Sequence, residues 1–74
     1  MGPTYWQAEL YRNGETYDAD FPHRETQAEA IADAEEARTR FTAHELQYMA
    51  ARVAEWKSTA YGAATTGVHQ DVWG

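Results

Sequence analysis

Four carboxylates, Glu25, Glu29, Asp33 and Glu36, recur at steps of four, four and three residues. On a helix that is about one turn between charges, roughly 5 Å along the axis. A row of charge at this spacing can imitate a phosphate backbone and lie in a basic groove. It can equally be the solvated outer face of an ordinary helix. Asp18 and Asp20 extend the same negative stretch: from Glu15 to Glu36 there are eight acids and one base. The whole chain carries −6. Nucleic-acid binding needs a basic footprint, so direct contact with nucleic acid is disfavoured. The charge points to a protein partner with a basic surface. The alternative is a small acidic inhibitor that mimics nucleic acid and blocks a nucleic-acid-binding groove, as anti-CRISPR-like products of phages and mobile elements do.

Other chemistry finds little footing. There is no cysteine, which excludes disulfides and thiolate metal sites. Ser58 follows Lys57 with no Gly-x-Ser-x-Gly elbow around it, so no activated nucleophile is expected. His23, His44 and His69 are far apart, and His44-Glu45 lacks the second histidine of a zinc helix motif. The glycines are scattered and none opens a helix after a strand, so no phosphate loop is expected. The expectation is a non-enzymatic protein with no catalytic residue, cofactor or metal.

Asn13-Gly14 is the strongest structural signal. This pair suits the two positive φ angles of a type I′ turn between antiparallel strands. With Arg12 facing Glu15, Leu10 meets Tyr17, Ala8 meets Ala19 and Trp6 meets Phe21 on one face. The other face then carries Tyr5, Gln7, Glu9, Tyr11, Thr16, Asp18 and Asp20, with Glu9 opposite Asp18. Like charges directly across a ladder are unfavourable, so solvation is expected there, or a partner's arginine ahead of a weakly held divalent cation, which usually draws on more than two carboxylates. Phe21-Pro22 closes the hairpin of residues 4–21.

Thr26-Gln27-Ala28-Glu29 is a capping box that opens a helix over 26–41, with Ala30, Ile31, Ala34, Ala37 and Phe41 on one face. Thr42-Ala43-His44-Glu45 is a second box. Leu46, Met49, Val53, Trp56 and Ala60 follow at steps of three and four, which predicts a second helix over 42–61 ended by Gly62. In the tail, 63–74, Val68, Gln70 and Val72 alternate with His69, Asp71 and Trp73; this fits either a short third strand or a frayed end. Residues 1–3 are given no structural weight. The predicted fold is a single α+β domain, ββαα, a hairpin followed by two helices. Its core is expected from Trp6, Leu10, Tyr17, Phe21, Ile31, Phe41, Leu46, Met49, Val53 and Trp56.

Tyr17-Asp18-Ala19-Asp20-Phe21-Pro22, with Ala28-Glu29-Ala30 and Ala34-Glu35-Glu36-Ala37, resembles the strand–helix portion of HicB-type antitoxins. It departs from that pattern because no room is left for the family's strand between Phe21-Pro22 and the helix.

Leu, Ile, Val and Phe together number only eight among 74 residues, a thin supply for a core. Ten aromatics make up part of the deficit. A monomer of this composition is marginal, so a homo-oligomer or a constant partner is expected. No apolar run is long enough to span a membrane, no signal sequence is evident, and a cytoplasmic location is the default. The candidate partner surface joins Tyr5, Glu9, Tyr11, Asp18 and Asp20 on the open hairpin face to Glu25, Glu29, Asp33 and Glu36 on the first helix. Trp73 is a candidate anchor in the tail.

Overall fold

The computed structural model describes residues 4–74; the expectation for residues 1–3 lies outside them. Six elements follow one another: β1 (Thr4–Arg12), β2 (Glu15–Asp18), α1 (Gln27–Arg38), α2 (Ala43–Leu46), β3 (Met49–Thr59) and β4 (Gly62–Trp73). The strands form one antiparallel sheet in the order β2-β1-β3-β4. α1 covers one face, and the fold is α+β but strand-rich.

The Asn13-Gly14 turn forms with both residues at positive φ, 51° and 80°, and Arg12 pairs with Glu15 as the turn requires. Beyond that the hairpin departs from simple alternation. Leu10 pairs with Asp18 rather than Tyr17, through a register shift between Leu10 and Tyr11. β2 therefore ends after four residues, and Tyr17 is half-exposed with its ring edge-on to Phe41 at 6.0 Å. The chain returns to β1 only at Arg24, whose N–H and C=O bond Trp6 at 2.8 and 2.7 Å.

α1 starts where the capping box places it. Thr26 Oγ1 accepts from the Glu29 N–H, and the Glu29 carboxylate accepts from the Thr26 N–H. Ala30, Ala34 and Ala37 are fully buried against the sheet. The absence of side-chain bulk lets the helix axis approach the strands closely.

The expected second helix is the main correction, and the ββαα fold falls with it. Only Ala43–Leu46 is helical, one turn capped by Thr42 and Glu45. From Met49 the chain is a strand, paired with β1 residue by residue from Arg12↔Met49 to Thr4↔Lys57. The segment satisfies two periods at once. Met49 and Val53 fit a helical stripe, yet Met49, Ala51 and Val53 also alternate with Ala50, Arg52 and Ala54. Alanine at 50, 51 and 54 is compatible with either reading, and ladder bonds to β1 override local helix propensity. Gly62, expected just past a helix end, instead follows the Ala60-Tyr61 turn at φ 123°. The tail becomes β4, paired with β3 from Thr59↔Gly62 to Ala51↔Trp73.

The core lies between α1 and the sheet: Ala8, Leu10, Phe21, Ala30, Ala34, Ala37, Met49, Ala51 and Val53. Trp6, Ile31, Phe41, Val72 and Trp73 pack around it. Six of the ten buried apolar residues are alanine, and only Leu10 and Val53 are large and fully buried. Trp56, expected in the core, pairs with Tyr5 on the opposite face of the sheet. Leu46 is half-buried at the edge.

Candidate interaction surfaces

Alternation along β1 and β3 sorts the sheet into two faces. The face away from α1 carries Tyr5, Gln7, Glu9 and Tyr11 from β1, opposite Trp56, Ala54, Arg52 and Ala50 from β3. Glu9 does not meet Asp18, because the register shift between Leu10 and Tyr11 sets Leu10 opposite Asp18; on the other side of β1 it faces Arg52 of β3. Its carboxylate accepts from Arg52 Nε at 2.9 Å and from the Tyr11 hydroxyl at 2.7 Å. The Arg52 guanidinium also lies 4.9 Å from the centre of the Tyr11 ring. Glu9 is only 5% exposed. It is a structural carboxylate with a partner inside the chain. Tyr5 stacks on His23 at 3.9 Å, and the buried Trp56 Nε1–H finds no acceptor among the described residues.

Tyr11 has a titration consequence. Burial, then its hydrogen bond to Glu9 and the charge of that carboxylate, raise its pKa above the ordinary 10.0, against the opposing effect of Arg52. A phenol whose folded pKa is raised adds stability that is complete below the unfolded value and lost as pH rises through the folded one. In an absorbance titration of the five tyrosines, one phenolate should therefore appear late. Tyr11→Phe should remove that late phase, and loss of an early phase instead would refute the assignment.

The acidic row does not form one open surface. Asp33 holds Arg24 through two bonds, of 2.8 and 2.9 Å, and these bonds and the aspartate's charge raise the arginine's pKa. Glu36 holds Arg40 one turn on. Glu29 is occupied by the helix cap, and an Asp18 oxygen accepts from the Asp20 N–H. Asp20 and Glu25 are exposed. α1 lies on the face of the sheet opposite Tyr5, Glu9 and Tyr11, so the sheet separates these three from the carboxylates of α1, whereas Asp18 pairs with the core-facing Leu10. Trp73 is not a free anchor either: its Nε1–H donates to the Ala34 carbonyl at 2.7 Å.

Two features appear that the sequence reading did not assign. The first is the β3–β4 hairpin. β1 pairs with β3 no farther than Thr4↔Lys57 among the described residues; Lys57 to Ala63 are all exposed and Tyr61 at the tip is fully so. The molecule is elongated, 41 Å against 21 and 17 Å. The second is an open groove of about 460 Å³ near the other end of β4, lined by Glu35, Arg38, Thr39, Leu46, Val72 and Trp73. The outer edge of β4 is unpaired, since β4 is the last strand of the sheet. A bulge marks its middle: Gly67 has φ 87°, its N–H donates to Thr65 Oγ1, and the Thr66 hydroxyl donates to Glu55.

Among the described residues no cluster of His, Asp or Glu is placed to hold a metal ion, and no helix is long and apolar enough to cross a membrane. The sheet and its single covering helix define an α+β two-layer domain. No protein-family model, curated protein or solved structure matches the chain.

Proposed function

We propose that this protein is a non-enzymatic protein-binding module whose contact surface is the β3–β4 arm with the free edge of β4. The observation that carries this reading is the arm itself. A two-stranded ribbon is marginal in water on its own, yet among the described residues Ser58 to Ala63 extend past the last β1 pair, exposed, with a tyrosine at the tip. An edge strand with unpaired N–H and C=O groups is a template for another chain. β4 has neither Lys nor Pro along it; its bulges leave Gly62–Thr65 as the regular part of that edge. The acidic row supports a basic partner or a nucleic-acid mimic less well, because Asp33 and Glu36 already hold arginines.

The test is a photo-crosslinking residue placed at Tyr61, or at exposed Ala32 on α1, in cells that make the protein. Protein adducts should form from position 61 and not from position 32. Equal yields at both positions, or adducts from position 32 alone, would remove the arm as the contact surface.

A further inference from the structure

We infer that the occupant of this surface is a second copy of the same chain, embracing the first through reciprocal arms; the inference rests on the arm being the contact surface. β4 connects two unlike features. Tyr61 lies just before its first residue, and the groove lined by Val72 and Trp73 lies at its last. When two β4 edges meet antiparallel about a two-fold axis near Val68, Gly62–Thr65 of one copy faces Asp71–Gly74 of the other. Each Tyr61 then arrives at the other copy's groove. One symmetry operation satisfies both arms and both grooves, and the contact closes as an isologous dimer rather than a filament.

The side chains along this path suit self-pairing. Val68 is half-exposed in mid-strand and meets its own copy at the axis. Bulges near Gly67 and between Asp71 and Trp73 interrupt the ladder to β3, and Gly62–Thr65 is the regular stretch that each copy offers. The groove offers an apolar wall of Leu46, Val72 and Trp73 for a phenol ring, with Glu35 and Arg38 at its rim for the hydroxyl. Charge agrees. From Trp56 to Gln70 the chain has Lys57 and no carboxylate, whereas all twelve acids lie elsewhere. An arm of this sign is drawn to the acidic body of another copy and does not repel it. The thin core, mostly alanine, is what a domain completed by association is expected to have.

The chain has no cysteine, so introduced thiols report contacts without background. Light scattering over a wide concentration range should show a dimer. Tyr61→Ala should weaken it by roughly thirtyfold, the loss that follows truncation of an interface hot spot, and Val68→Asp should abolish it. Tyr61 is fully exposed, so circular dichroism of these variants should match the parent. Mixing the Tyr61→Cys and Arg38→Cys variants should yield a disulfide between copies. Within one chain the two positions are separated by the length of β4, which spans the ladder of β3 from Ala51 to Thr59, about 27 Å at the usual rise per residue and far beyond disulfide reach. A monomer at every concentration, or a dimer indifferent to both substitutions and without the mixed disulfide, overturns the proposal. If a monomeric chain still crosslinks from position 61 to another protein, the second copy is ruled out while the arm stands as the contact surface.

Discussion

Leu10→Ala is expected to lower the unfolding free energy by about 3–5 kcal/mol, the upper part of the range for deleting a buried leucine. Leu10 is 2% exposed and, with Val53, is one of two large side chains fully enclosed. Its neighbours in the core are largely alanines on α1 and β3, whose side chains cannot swing into the vacated space. The cavity therefore persists and its cost adds to the lost transfer energy. A domain of this size has a total stability of roughly 4–11 kcal/mol, so the variant should be substantially unfolded at ordinary temperature. Urea unfolding followed by far-ultraviolet circular dichroism, at fixed protein concentration, measures the change. A loss below about 1 kcal/mol would mean that Leu10 does not face α1. Leu10→Met keeps volume and should cost under about 1.5 kcal/mol.

What was legible in the sequence was local chemistry. Asn13-Gly14 states its own turn, and Thr26 and Thr42 with their glutamates state two helix starts, because each signal is completed within four residues. What was not legible depended on partners distant in sequence. The second capping box opens a helix of one turn only, since Met49 to Thr59 gains more by pairing with β1 than by continuing to wind. The stripe of Leu46, Met49, Val53 and Trp56 is genuine spacing, but Ala50, Ala51 and Ala54 leave the period undetermined. β2 was overextended for a related reason: alternation from Glu15 to Phe21 is regular, and nothing local marks the register shift at Leu10/Tyr11. With β3 misread as a helix, Glu9 lost its true neighbour and looked like an unpaired acid awaiting a partner. The arm and groove were hidden because both exist only once β3 and β4 are strands. The alternation of Val68, Gln70 and Val72 was the one sign of β4 in the sequence.

Arg52→Met should cost about 2–4 kcal/mol, somewhat under the usual loss on breaking a buried ion pair, because Arg52 itself is partly hydrated. The cost comes from what remains: a Glu9 carboxylate almost without solvent, left with the Tyr11 hydroxyl as its hydrogen-bond donor. Adding Glu9→Met to Arg52→Met should return most of the stability, since two packed apolar chains replace a pair whose attraction barely exceeds its desolvation. The two substitutions are thus strongly coupled in a double-mutant cycle, by about 2 kcal/mol. The exposed Arg40–Glu36 pair gives the contrast. Arg40→Ala should cost no more than about 0.5 kcal/mol, because both groups remain solvated and the pair is a single-turn helix contact. Glu9 and Arg52 sit directly opposite each other on β1 and β3. A one-residue slip of either strand would set the carboxylate opposite Ala51 or Val53, neither of which can pair with it, so the pair penalises the neighbouring registers. Coupling near zero would transfer that role to Ala8 and Val53, which meet on the other face of the same ladder.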